Sequence, residues 1–221
     1  LTRINEIILK ILYKMKKWIY ILLVFLTIQA NGQIIKNKSV VGFIPAINYR
    51  INGLALGLAI ESLNDNDTSL TFVNGISIEI IGFGILLPLS PSSPVYLEKE
   101  SFYEDDYNLD SIVNSYDSTN YKVNGLSIST FGIVGHDLKI NGLNLSGFCT
   151  LTGKMNGLSV SLLINASDVV NGISLGLINT TIQSKGLQIG LYNQTKRLKG
   201  FQIGLWNVNE KRSLPLINWN L

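Results

Sequence analysis

A histidine and a neighbouring carboxylate are the first residues to consider for chemistry. His136 stands next to Asp137 in "IVGHDLK", and a base beside a carboxylate can act in proton transfer. The pair is predicted to lie in a turn between two repeats, where adjacent side chains are solvated, so we do not expect a catalytic role. One histidine and one cysteine, Cys149, cannot supply the usual zinc ligands. The sequence therefore predicts no enzyme, no metal and no cofactor, and Cys149 is predicted to be a small buried apolar residue.

An acidic and aromatic insert is a stronger candidate for a binding site. Residues 88–121 interrupt the pattern of the remaining chain and are rich in Asp, Glu and Tyr. Long insertions on a repeat scaffold tend to lie at the surface, and functional loops often sit on rigid frames. Such a loop could bind a cation, a glycan or a basic patch of an envelope protein; a solvated loop without a partner is the alternative. The candidate partner-binding residues are Glu98, Glu100, Tyr103, Glu104, Asp105, Asp106, Tyr107 and Asp110.

A basic cluster near the C-terminus has two interpretations. It could meet anionic headgroups or the acidic surface of another protein. Alternatively, these charges protect an exposed sheet end against edge-to-edge pairing. The cluster consists of Lys196, Arg197, Lys199, Lys211 and Arg212.

The elements that would position these residues follow from a repeated glycine. The stretch "KGLQIGLYNQTKRLKGFQIGLWN" contains one phrase twice, with its glycines 14 residues apart. Short repeats tiled along a chain indicate a repeat architecture. Eight copies align on one glycine each, which we call the repeat glycine: Gly53, Gly75, Gly125, Gly142, Gly157, Gly172, Gly186 and Gly200.

Each copy has the pattern of a β-strand. Apolar residues stand one, three and five places after the repeat glycine, as in Leu187, Ile189 and Leu191, and this period of two indicates a strand with one apolar face. We expect that face to fill the interior. Another apolar residue stands two places before the glycine, on the opposite face of a straight strand. The glycine is therefore expected to bend the chain and bring both apolar sets inside.

An asparagine seven residues after the glycine predicts a second bend. Two bends in about 14 residues describe one coil of a narrow β-solenoid, in which identical residues stack on one another. The predicted fold is therefore an all-β solenoid of about 14-residue coils. Its structural positions are Gly172, Asn179, Gly186, Asn193, Gly200 and Asn207.

An antiparallel outer-membrane β-barrel, with one strand per repeat, is the alternative fold. The final "SLPLINWNL" alternates apolar residues as the last strand of an exported barrel does. However, the apolar face of each strand is about three residues long, which is well short of the ~25 Å apolar band that a barrel needs. The solenoid is therefore the preferred prediction.

The last copies also carry the motif of a known group of proteins. The stretch "KGLQIGLYNQTKRLKGFQIGLWNVNEKRSLPLINW" resembles a family of bacterial surface-repeat proteins whose repeat reads Gly-Leu-Gln-Ile-Gly-Leu-x-Asn. The resemblance is strong over 171–221, recognisable from about 123 and looser over 40–90. It implies export and a location in the cell envelope, and it brings no catalytic residues. The early copies depart from the pattern because they lack the Gln and the terminal Asn.

The N-terminal residues are expected to direct export. Residues 15–32 combine two lysines, an apolar run over 18–28 and small residues before Gln33, as a signal peptide does, and residues 1–14 are interpreted as upstream mistranslation. The apolar run is too short to span a ~30 Å hydrocarbon core. Residues 33–221 would then be a single β-repeat domain with 13 basic and 14 acidic side chains, which gives no reason to expect nucleic acid.

These patterns together predict an exported protein of the cell envelope, outer membrane or cell surface. It would act as a structural or binding module without catalysis, and its partner would be an envelope protein, a glycan or a cation. Association with the outer membrane is compatible with this expectation. A small outer-membrane barrel that acts as a pore or an anchor is the alternative.

Overall fold

Ten β-strands form one sheet whose spatial order follows the chain from β1 to β10. They are seen in a computed structural model, which describes residues 37–46, 48–60, 70–82, 84 and 119–221. None of these residues belongs to a helix that is long and apolar enough to cross a membrane. The strands are β1 (Asn37–Ile44), β2 (Tyr49–Gly57), β3 (Thr71–Glu79), β4 (Tyr121–Ser129), β5 (Gly132–Ser146), β6 (Cys149–Ser161), β7 (Ile164–Leu175), β8 (Ile178–Ile189), β9 (Tyr192–Val208) and β10 (Ser213–Asn220).

The strand pairing confirms the predicted solenoid. Each strand from β1 to β8 pairs in parallel with the next one, so the chain completes a full circuit between neighbours. The repeat glycines are register partners throughout, from Gly53 with Gly75 to Gly186 with Gly200. The barrel alternative is wrong, because its strands would be antiparallel and would close on themselves. Among the described strands, β1 pairs with β2, β10 pairs with β9, and the two ends of the sheet do not meet.

The early copies stack as regularly as the late ones. Strands β2, β3 and β4 pair over nine residues each without a register shift, although they lack the Gln and Asn of the later motif. The longer connections of this half, over 58–70 and 80–120, join strands that stack in the same register as the others. The sheet is therefore unchanged by the longer sequence separation of these copies.

The repeat glycine is required by the close approach of successive coils. At Gly172 φ is +142°, and a Cβ on this residue would overlap the carbonyl oxygen of Gly157 in the preceding coil. Only glycine adopts this backbone conformation without strain and leaves the space free. This is why a glycine recurs at every coil.

The strand passes through the repeat glycine without exchanging its faces. In β7, Val170 and Ser174 stand two places before and two places after Gly172, and both are buried. Ile173 faces outward and is 39% exposed. The prediction that the glycine turns both apolar sets inward is therefore wrong. The apolar residues after the glycine lie outside, and the buried positions hold Ser77, Ser127, Asn144, Ser159, Ser174, Gln188 and Gln202.

The buried positions beyond the glycine are filled mainly by polar side chains or by glycine. A Cβ on Gly190 would overlap the carbonyl oxygen of Gly176, so this position excludes a side chain, whereas earlier coils carry Glu79, Ser129, Ser146 and Ser161 there. Two places after the glycine, the glutamine side chains of the last coils form hydrogen bonds with one another: Gln202 Nε2 donates to Gln188 Oε1 at 2.8 Å. The apolar core is built around the residues two places before the glycine, which are Ile51, Val73, Val123, Ile140, Met155 and Val170.

Two asparagine ladders run along the solenoid. Inside, Asn179 Nδ2 donates to Asn193 Oδ1, and Asn193 Nδ2 donates to Asn207 Oδ1, both at 2.7 Å. Outside, the asparagines that precede the repeat glycines form a second ladder from Asn52 to Asn171, with distances of 2.6 to 2.7 Å. The second bend of the coil lies at 176–177 and 190–191, two residues earlier than predicted. The inner asparagines Asn179 and Asn193 follow these bends by two residues and are buried.

Asn193→Ala is expected to lower the free energy of unfolding by about 2–3 kcal/mol. Besides its two ladder bonds, Asn193 Nδ2 donates to the carbonyl oxygen of Ile203 at 3.0 Å, so the substitution leaves buried partners unpaired. Asn171→Ala, at the end of the half-exposed outer ladder, is the matched control and should lose less than about 1 kcal/mol. Urea unfolding of both variants measures the difference. Equal losses of unfolding free energy in the two variants would show that the inner ladder does not stabilise the fold more than the outer one.

An antiparallel strand caps the C-terminal end. In β10, Asn218 Nδ2 donates to Gln202 Oε1 at 3.2 Å, which continues the interior amide chain to its last member. Arg212 lies over the ring of Trp219, 4.5 Å from its centroid, and donates to the Trp219 carbonyl oxygen at 2.8 Å. The last coil is therefore covered by an antiparallel strand. Arg212, in the connection before β10, holds that strand in place.

Candidate functional site

The outward side chains beyond the repeat glycines form a continuous apolar surface. We call it the apolar face; it consists of the residues one, three and five places after each repeat glycine, together with Ile217 and Trp219 of β10, and all of them except Thr130 and Gly147 have large apolar side chains. In-register pairing arranges these residues in columns, and Trp219 and Ile217 pair with Phe201 and Ile203. Phe201 is 45% exposed and Leu205 is 63% exposed. The face therefore runs over strands β2 to β10.

The apolar face is as large as the largest apolar patches of monomeric proteins. Nine strands at ~4.8 Å and five residues at ~3.3 Å give a surface of roughly 38 by 13 Å, or about 500 Å² before side-chain relief is counted. The largest patch on a soluble protein is often functional. The face is therefore the main candidate for a binding surface.

Two stacked lysines border the apolar face at its C-terminal end. Lys185 and Lys199 occupy the position before the repeat glycine, where earlier coils carry asparagine, and both are exposed. They are register partners on β8 and β9. Like charges directly opposite each other repel, so this arrangement is unfavourable unless an anion faces it. Lys211 adds a third ammonium near this end, since its Nζ donates to Asn220 Oδ1 at 2.8 Å and Asn220 pairs with Gly200.

The remaining members of the predicted basic cluster have other positions. Arg212 belongs to the cap through its contacts with Trp219. Lys196 and Arg197 are half-buried where the pairing of β9 with β8 skips a residue. The structure therefore places Arg212 at the cap, Lys196 and Arg197 at the interruption of the pairing between β8 and β9, and Lys199 and Lys211 beside the apolar face.

A buried carboxyl lies inside the solenoid on β3. Glu79 is 1% exposed, and its register neighbours are Gly57 and Ser129. Its Oε1 has no hydrogen-bond partner among the described residues. Burial raises the pKa of Glu79 from 4.5 to about 8, and a backbone hydrogen bond from Ile60 opposes this only in part. The carboxyl is therefore mainly protonated at neutral pH.

Among the residues that the structure describes, those considered for catalysis are not assembled with other reactive groups. His136 is exposed on β5, and Asp137 Oδ2 accepts a hydrogen bond from the Asn120 backbone N–H at 3.0 Å. Cys149 is buried beside Ile164 and Ala166, as predicted, and burial raises its pKa. Within the described ranges, no group of three or more His, Cys, Asp and Glu side chains could hold a metal ion.

The predicted binding insert cannot be placed. Its candidates Glu98, Glu100, Tyr103, Glu104, Asp105, Asp106, Tyr107 and Asp110 all lie outside the described residues, as do residues 1–14 and the predicted signal peptide at 15–32. Their roles remain predictions.

No protein-family model, no curated protein and no solved structure matches this chain. Its function therefore has to be inferred from the site itself.

The sequence itself indicates that the apolar face lies outside, although the usual assumption that apolar residues lie inside leads to the opposite orientation. Residues two before and two after a glycine share a face in any continuous strand. Val170 and Ser174 therefore belong together, and the apolar residues between and beyond them belong to the other side. Small or amide side chains at the Ser174 position in every later copy indicate the same arrangement.

Proposed function

We propose that this protein is an exported scaffold of the bacterial cell envelope that binds a partner surface through its apolar face, without catalysis. The observation that carries the proposal is the continuity of that face over strands β2 to β10. A half-exposed Ile or Leu forgoes roughly 1 kcal/mol of burial, and the repeat places such residues outside in coil after coil. Contact with a partner would recover this free energy.

The backbone makes the apolar face a suitable binding surface. Its columns stand on parallel, in-register strands, and the glycine and asparagine ladders hold the coils at a fixed spacing. A rigid surface loses little conformational entropy on binding. Export to the envelope is supported by the predicted signal peptide and by the resemblance to bacterial surface-repeat proteins.

Cysteine labelling in intact envelopes tests whether the apolar face is occupied. With Cys149 replaced by alanine, Ile189→Cys places a thiol on the face, and His136→Cys places one on an exposed site elsewhere. We expect a maleimide to label Ile189→Cys at least about tenfold more slowly in envelopes than in the purified protein, because a bound partner excludes the reagent. His136→Cys should react at similar rates in both preparations.

The same preparations test export. Mass spectrometry should find a chain that begins at Gln33 in the envelope fraction. Full-length chain confined to the cytosolic fraction would contradict export, and equal labelling of Ile189→Cys in both preparations would contradict an occupied face.

A further inference from the structure

We infer that the partner of the apolar face is the surface of an anionic lipid bilayer. This inference rests on the function proposed above and identifies its partner. It is drawn from the C-terminal end of the face, where exposed aromatic rings, exposed aliphatic side chains and stacked lysines occur together on strands β8 to β10.

Aromatic side chains are concentrated at this end of the face. Phe201 and Trp206 on β9 and Trp219 on the adjacent β10 are each between 45% and 48% exposed. Tryptophan is enriched at the level of lipid headgroups, where its ring is half in an apolar and half in a polar medium. Leu205, beside Trp206, is 63% exposed and would enter the acyl region first.

The charge of the solenoid complements an anionic surface. Residues 119–221 contain nine basic and three acidic side chains. Lys185 and Lys199 lie two residues before Leu187 and Phe201, the first apolar residues of their coils on the face. A lysine that reaches an anionic leaflet increases the affinity about fivefold. The repulsion within the stacked pair is removed when phosphate groups lie between or above the ammonium groups.

The same charges argue against a second copy as the partner. Two copies that met through this end of their apolar faces would bring their lysine pairs and their positive surfaces together, without a layer of anions between them. Like-charge contacts of this kind disfavour association. The protein would therefore lie on the bilayer with the apolar face at the boundary of headgroups and acyl chains, about 5–10 Å deep.

Vesicle flotation of the protein recovered from cells that express the full chain tests the inference. The vesicles contain phosphatidylcholine alone or a mixture with phosphatidylglycerol. We expect binding to the mixed vesicles that weakens as salt is added, and at most weak binding to phosphatidylcholine alone. The double variant Lys185→Gln/Lys199→Gln should bind the mixed vesicles about 25-fold more weakly.

Two further variants separate charge from apolar contact. Lys122→Gln on β4 removes one charge about 24 Å from Lys199 and should weaken binding by at most about fivefold, the effect of a single lysine near an anionic leaflet. Ile203→Ser/Leu205→Ser should weaken binding at least about tenfold, because both side chains would lose their contact with the acyl region. All the substituted side chains except Lys122 are exposed, and thermal unfolding checks that each variant keeps its fold.

The outcomes distinguish the two proposals. Vesicle binding that depends on Lys185 and Lys199 supports the bilayer. Absence of vesicle binding while Ile189→Cys stays protected in envelopes overturns the bilayer and leaves a protein partner; dimeric sedimentation would then identify a second copy. Absence of both vesicle binding and protection overturns the bilayer and the proposed function together.

Discussion

Replacing Glu79 by glutamine is expected to stabilise the protein near pH 9 by up to about 5 kcal/mol and to remove much of its pH dependence. Glu79 is buried among interior positions that other coils fill with serine or glycine, and burial raises its pKa to about 8. The ionised carboxylate is therefore much less favourable in the folded chain than in water. A glutamine keeps the shape of the protonated side chain and cannot ionise.

The direction of the pH dependence follows from proton binding. Below the ordinary pKa of 4.5, Glu79 is protonated in both the folded and the unfolded chain. Between 4.5 and about 8, the folded chain keeps a proton that the unfolded chain has lost, so the free energy of unfolding falls as the pH rises. The loss is complete above the folded pKa. The protein should therefore be more stable at about pH 4 than near pH 9 as far as this group is concerned.

Denaturant unfolding at several pH values between about 4 and 9 measures this effect. Glu79→Gln should match the wild-type stability near pH 4 and exceed it progressively as the pH rises. Ser129→Ala, which alters the register neighbour of Glu79 without changing a charge, is the control and should keep the wild-type slope. If Glu79→Gln shows the same slope as the wild type, the carboxyl is not protonated in the folded chain.

Gly172→Ala is expected to destabilise the protein by roughly 4 kcal/mol. Its φ of +142° strains any residue with a Cβ, and the Cβ would also overlap the carbonyl oxygen of Gly157. The overlapping atom belongs to the backbone, so it can move only if the coils separate. Separation would weaken the strand pairing of β6 with β7, and the asparagine contact between Asn171 and Asn156 beside it.

Gly176→Ala is the matched control in the same coil. A Cβ on Gly176 would lie 3.1 Å from the Ser161 carbonyl oxygen, and Gly176 does not have a positive φ. We expect a loss of about 1 kcal/mol or less. The denaturation midpoints of both variants measure the difference, and similar midpoints would show that the glycine column does not set the spacing of the coils.

The repeat was sufficient to predict the stacked strands but not which face of each strand is buried. Eight glycines at short intervals identify the strands and their register, and both agree with the structure. Alternation shows which residues share a face, as Leu187 and Ile189 do, but it does not show which face is inside. The usual assumption that apolar residues are inside fails here, because the interior positions after the glycine hold polar side chains that hydrogen-bond to one another, as Gln202 does to Gln188.

The candidate site was harder to predict for a related reason. The apolar face is visible only when the interior is known to be polar, and the prediction that Leu187 and Ile189 fill the interior points the other way. Glu79 is a single departure from the repeat, at a position where other copies have serine or glycine. Its burial depends on its neighbours in the stack, and no local pattern indicates it.

The equal coil lengths over 172–200 have an evolutionary consequence. Gly172, Gly186 and Gly200 are spaced by 14 residues, and the positions between them have register partners one coil away, except at the bends and where the pairing skips Ile182 and Lys196. A recombination event that deletes residues 173–186 would join Gly172 to Leu187 and leave each column of stacked residues continuous. The gene can therefore lengthen or shorten its product in whole coils, and the area of the apolar face would change in equal steps with each event.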